Sequence, residues 1–151
     1  MNLNTDEWDD LQPAPKAAAA TAPVRFSLKQ GRGGAWRATV LIRKEVLEKL
    51  RATHWRFSVR IGKGGNRHRL AIVPASDGRF ELQEVGKAKG GGVYRLFLPP
   101  VDSWAEVEMA TMAVGHSVAD FRGNQKALFI DLPKPVWDPA AGRALRSARE
   151  G

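Results

Sequence analysis

The chain contains no cysteine, so disulfides, thiolate metal sites and cysteine nucleophiles are excluded. Its three histidines, His54, His68 and His116, lie far apart, and His68 sits among arginines whose charge disfavours a bound cation. No HExxH, GxSxG or GxxxxGK[ST] pattern occurs, so neither a catalytic set, a metal nor a cofactor is expected, and the chain reads as a non-enzyme. No apolar run approaches the roughly 20 residues of a membrane span. The opening MNLNTDEWDD is acidic and lacks an apolar h-region, so a signal peptide is not expected either. These absences lead to the expectation of a soluble, cytoplasmic protein. Carboxylates are scarce where cations are dense: residues 24–98 hold 17 Lys and Arg against 5 Asp and Glu, a net +12 within a total of +8. Such a block concentrates positive potential over one part of a fold, as a polyanion-binding surface requires.

Organisation is clearest at residues 55–75, WRFSVRIGKGGNRHRLAIVPA. Trp55, Phe57, Val59 and Ile61 are apolar at every second position, with Arg56, Ser58 and Arg60 between them. That period describes a half-buried strand. Gly62-Lys63-Gly64-Gly65-Asn66 tolerates the positive φ that a reversal needs. The return strand places Leu70 and Ile72 inward and Arg67, Arg69 and Ala71 outward. A β-hairpin with an apolar face and an arginine face follows, Arg56, Arg60, Arg67 and Arg69 sharing the outer side and Lys63 at the tip.

In chain order, residues 1–23 read as a disordered acidic and Ala-Pro tail. Within it Trp8 lies in an acidic run suited to a basic surface or a protein partner. Residues 24–138 form a single β domain. Strands are expected at 24–28 and 36–42, then a short helix at 43–50 with Val46, Leu47 and Leu50 on one stripe. After the hairpin come a turn at 76–78, a short strand at 79–83 and a basic glycine linker at 86–92. A strand at 93–98 ends at Pro99-Pro100. Residues 105–114 are expected as a strand with Val107 and Met109 inward, a helix being the rival reading. Residues 115–124 read as a loop and 127–132 as an apolar strand. Pro133, Pro135 and Pro139 are expected to forbid regular continuation. Residues 139–151 form a basic tail, either frayed or a helix with Arg143, Arg146 and Arg149 on one face.

Residues 36–75 and 93–133 share a pattern: strand, connector, strand, Gly-Asn turn, strand ending in Pro. Two such β–connector–β–β units paired about a pseudo-twofold axis would give a mainly β fold, a small closed or half-closed barrel with one short helix. The first unit, Ala38-Thr39-Val40-Leu41-Ile42-Arg43-Lys44-Glu45-Val46-Leu47-Glu48-Lys49-Leu50 followed by a strand, a Gly turn and Ile72-Val73-Pro74, resembles the swapped-hairpin domain of AbrB/SpoVT-type transcription factors and antitoxins. The resemblance implies a unit used twice, usually from two subunits, so a homodimer is open, and basic residues that bind DNA. Arg43 stands where the family commonly has Pro, and Ala52-Thr53-His54 where it has a Gly-Asp step.

The candidate nucleic-acid-binding residues are therefore Arg56, Arg60, Lys63, Arg67 and Arg69, supported by Arg43 and Lys44. For each, the plain alternative is a solvated charge. A two-stranded ribbon fits a DNA major groove, so duplex DNA is the expected target and a small transcriptional regulator or mobile-element accessory protein the expected role. A second reading is a single-stranded DNA or RNA binder with Trp36, Trp55, Trp104 or Trp137 as stacking platforms. A third is a structural barrel that meets an acidic partner.

Overall fold

The computed structural model describes residues 22–51, 56–85, 92–123 and 125–150. Trp8, His54, Trp55, the linker at 86–91 and Asn124 lie outside the described residues. The fold is mainly β, the described residues forming ten strands in two five-stranded antiparallel sheets. Strands β1 (Val24–Gln30) and β2 (Trp36–Arg43) form the first hairpin, Val24 opposite Ile42 and Gln30 opposite Trp36. Period-two alternation buries Val24, Phe26 and Leu28 on one strand and Ala38, Val40 and Ile42 on the other. At their turn Gly33 and Gly34 take φ of 85° and 87°, a region closed to most side chains.

The pattern then changes period into helix α1 (Lys44–Leu50). Seven residues make a helix that is marginal alone. Val46, Leu47 and Leu50 bind it to the common core. Strands β3 (Arg56–Ile61) and β4 (Arg69–Pro74) follow as the second hairpin. The short strand expected at 79–83 is divided: β5 (Phe80–Glu81) joins β3 in the second sheet, while β6 (Gln83–Val85) joins the first. Buried Leu82 is the step between them. Gly78 allows this turn to press against β3, since a Cβ there would lie 2.5 Å from the Phe57 carbonyl.

Strand β7 (Val93–Leu98) returns to the first sheet beside β2. Within 105–114 only β8 (Met109–Ala113) pairs as a strand, and it borders β1; Val107 before it is buried. The loop expected over 115–124 contains strand β9 (His116–Asp120), paired with β10 (Lys126–Asp131). Its polar sequence carries little strand signal, and the ladder with β10 supplies what propensity does not. The first sheet runs β6-β7-β2-β1-β8 and the second β5-β3-β4-β10-β9. Among the described residues the two ladders stay separate. Neighbouring β2/β7 in one sheet and β4/β10 in the other have the placement that a twofold relation between 36–75 and 93–133 would produce, although the second unit has β8 where the first has α1.

The prolines do not end regular structure, contrary to expectation. Helix α2 (Lys134–Trp137) carries Pro135 in its first turn, and α3 (Pro139–Glu150) starts on Pro139. The first turn of a helix has amide groups with no partner to lose, so proline fits there. The C-terminal segment is thus a helix for twelve residues. Buried Gly142 lets it approach closely, because a Cβ would lie 2.7 Å from the Pro135 carbonyl oxygen and from Ala105 Cβ. Arg149 donates to the Glu108 carbonyl and secures its far end. The core between the sheets holds Phe26, Phe57, Leu70, Ile72, Leu96, Leu128 and Ile130, all essentially inaccessible. Trp104 meets Phe26 edge-on at 6.0 Å.

Candidate nucleic-acid interface

The hairpin places its charges by alternation and by the geometry of its turn. On β3, Phe57 is buried and Arg56 and Arg60 are exposed; on β4, Leu70 and Ile72 are buried and Arg69 is exposed. Register sets Arg60 opposite Ala71 and Ile61 opposite Leu70. The reversal is longer than a tight turn: a 3-10 turn at Gly64–Asn66 lies between the strands, with Asn66 N–H donating to Lys63 O at 3.0 Å. The loop folds back so closely on Gly62 that a Cβ there would stand 1.9 Å from the Asn66 carbonyl oxygen.

This longer loop divides the predicted arginines. Arg56, Arg60 and Arg69 share the outer face of the second sheet. Arg67 does not, because it belongs to the loop and lies over the Trp137 ring at 5.3 Å. His68 also packs near Trp137. Arg56 reaches back to the Gly78 carbonyl at 3.4 Å. Lys63 is exposed on the loop. Arg43 and Lys44 stand where β2 meets α1, beside Glu45 and Glu48 at 3.6 and 3.9 Å, and do not line the hairpin's face. Among the described residues no ion pair uses Glu81, Glu84, Glu106 or Glu108. Arg69 instead meets Asp131 across the β4–β10 ladder at 3.2 Å. Both side chains are about half exposed, so the pair contributes about 0–1 kcal/mol and yields readily to a competing anion.

Two aromatic residues complete the face. Ala71, Val73 and Ala127 form a small apolar cluster on the outer side of the sheet, and Phe121 and Phe129 pack over it. Their rings lie 6.2 Å apart at 58°. The guanidinium groups of Arg60 and Arg122 stand over Phe121 at 5.7 and 5.3 Å. Together they enclose an open groove of about 590 Å³, lined by Arg60, Lys63, Arg69, Arg122, Phe121 and Phe129 among others. That volume lies within the roughly 300–1,000 Å³ usual for small-molecule sites. Apolar floor, aromatic walls and cationic rim suit a ligand that presents a flat ring and an anion together.

Of the four tryptophans named as platforms, Trp55 lies outside the described residues and the other three lie elsewhere. Trp104 is buried, Trp137 carries Arg67, and Trp36 borders a separate hollow on the first sheet. Phe121, Arg122 and Phe129 were not among the expected residues. The signal for Phe129 was present in β10: Ala127, Leu128, Phe129 and Ile130 are apolar on both faces, the mark of a strand covered on two sides; Phe121 and Arg122, in the bend before it, carried none. Among the described residues no cluster of three or more metal-ligating side chains occurs, and no helix is long and apolar enough to cross a membrane. Comparison with protein-family models, curated proteins and solved structures finds no match.

Proposed function

We propose that the protein is a nucleic-acid-binding module and that the groove on its second sheet takes an unpaired nucleotide. The base lies against Phe121 and Phe129; the phosphates meet Arg60, Lys63, Arg122 and Arg69, the last released from Asp131. The observation that carries this reading is the placement of Arg60 and Arg122 over one phenylalanine above an apolar floor. Base–aromatic stacking contributes about 1–3 kcal/mol per base, against about 0.5–1 kcal/mol for an exposed cation–π contact. A base can therefore displace the resting arginines toward its own phosphates.

Single strands are favoured over duplex because the hairpin is not a free ribbon. β3 and β4 are flanked by β5 and β10. Five strands at about 4.8 Å spacing span roughly 19 Å, wider than the roughly 12 Å of a major groove. The likeness of residues 36–75 to swapped-hairpin transcription factors supports a regulatory role, and a cytoplasmic location accords with it.

The test is fluorescence anisotropy with matched single-stranded and duplex oligonucleotides over a salt series. Tighter single-strand binding that drops roughly 5- to 150-fold on Phe121→Ala supports the reading. Duplex preference untouched by Phe121→Ala returns the function to the hairpin arginines. Absence of binding at low salt refutes both.

A further inference from the structure

The opposite side of the molecule carries a second set of cations that the groove does not use. Burial of Val24, Phe26 and Leu28 turns Arg25 and Lys29 to the outer face of the first sheet. Burial of Ala38, Val40 and Ile42 turns Arg37 and Arg43 the same way, and burial of Leu96 and Leu98 does so for Arg95 and Phe97. Strands β1, β2, β7 and β8 contain no Asp or Glu at all. Across the ladders, Lys29 is opposite Arg37, and Leu41 lies between Arg25 and Arg95.

Towards one end of this face is Phe97, half-buried and opposite Thr39. The guanidinium groups of Arg37 and Arg95 stand over its ring at 4.8 and 4.9 Å. Arg95 is further held by its Nε–H, which donates to Gln83 Oε1 at 3.2 Å. Beside Phe97 a hollow of about 750 Å³ opens between the β1–β2 turn and Pro99-Pro100, with Lys29, Arg32, Trp36 and Arg37 on its walls. The Nε of Arg25 is buried without a hydrogen-bond partner.

We propose that this face is a second nucleic-acid-binding surface, which takes a single strand with bases on Phe97 and on the guanidinium groups over it, and phosphates on Lys29, Arg32, Arg37 and Arg95. Charge alone would suit an acidic peptide equally. Arginines gathered over an aromatic ring suit a ligand that alternates planar rings with anions, since bases stack on guanidinium and aromatic faces alike. The surface shares no residue with the groove and lies on the other sheet. One chain can thus hold two strands, or two parts of one strand, on opposite sides.

The experiment titrates the full chain with an oligothymidylate of about eight nucleotides, within the length one small β module covers, and maps photocrosslinks from a 5-iodouracil analogue. The expected result is binding of a second oligonucleotide per chain, with crosslinks in the β7 peptide at Phe97 as well as in the peptide of Phe121. Arg37→Gln with Arg95→Gln removes the β7 crosslink and the second binding event, and leaves the remaining affinity within about twofold, as independent sites require. Thr39→Glu sets a negative charge opposite Phe97 and gives the same loss by a separate route. Crosslinks confined to Phe121 with single occupancy overturn the second surface and leave the groove standing. Crosslinks at Phe97 alone overturn the groove and leave the second surface. Binding of polyglutamate in preference to the oligonucleotide overturns this proposal.

Discussion

Replacing Arg60 and Arg122 by glutamine tests the groove at its charged rim. Both residues are exposed, and neither has an ion-pair partner among the described residues. What they lose in the free protein is a contact over Phe121. At exposed sites that is about 0.5–1 kcal/mol each, small enough for the fold to survive. Arg122 has φ of 53°; glutamine bears the same left-handed strain, so backbone cost is unchanged. For binding the expectation is larger and of a particular form. Each phosphate contact to a single strand contributes a slope of about −0.7 in log K against log salt. Loss of two contacts makes the slope shallower by about 1.4. Anisotropy with oligothymidylate at several salt concentrations reads this directly, while a thermal melt verifies folding. An affinity loss with an unchanged slope would refute phosphate contact by these arginines. An unchanged affinity would refute the groove itself.

Other expectations concern the scaffold. Gly62→Ala places a methyl 1.9 Å from the Asn66 carbonyl oxygen and should cost about 1–3 kcal/mol, as overpacking does; denaturant unfolding with an unshifted midpoint contradicts it. Gly142→Ala should weaken α3 docking against Pro135 and Ala105, seen as faster amide exchange in 139–150 with the sheets unaffected; uniform exchange across the chain contradicts it. Arg51 ends α1 with φ of 53°, so Arg51→Gly should raise stability by about 0.5–1 kcal/mol; a lower melting midpoint contradicts it. Phe57→Ala should cost about 3–5 kcal/mol, as a buried phenylalanine does, measured by chemical denaturation.

Much of the β scaffold was legible because alternation is a local signal. β2 and β7 announce themselves through Ala38-Val40-Ile42 and Leu96-Leu98, and α1 through the spacing of Val46, Leu47 and Leu50. β9 was not legible, since His116-Ser117-Val118-Ala119-Asp120 becomes a strand only by pairing with β10. The prolines misled because a breaker within a helix is a starter at its first turn. The candidate site was half legible. Arg56, Arg60 and Arg69 fall on one face as period two requires. Arg67 leaves it because the loop holds extra residues, and loop geometry is not written in periodicity. Phe121 and Phe129 lie about sixty residues from the arginines they join, a separation that only the β4–β10 pairing closes.

The placement of β1 and β4 has a consequence for synthesis. β1 is flanked by β2 and β8, and its Arg25 lies opposite Ala113; β4 waits for β10, with Leu70 opposite Ile130. As the chain leaves the ribosome, both amino-terminal hairpins therefore emerge with an open hydrogen-bonding edge until the last third is made. High contact order of this kind slows folding and leaves nascent edges exposed to other chains. Arg25 on β1 and Arg69 on β4 set like charges beside those edges, and like charge disfavours edge-to-edge pairing between copies.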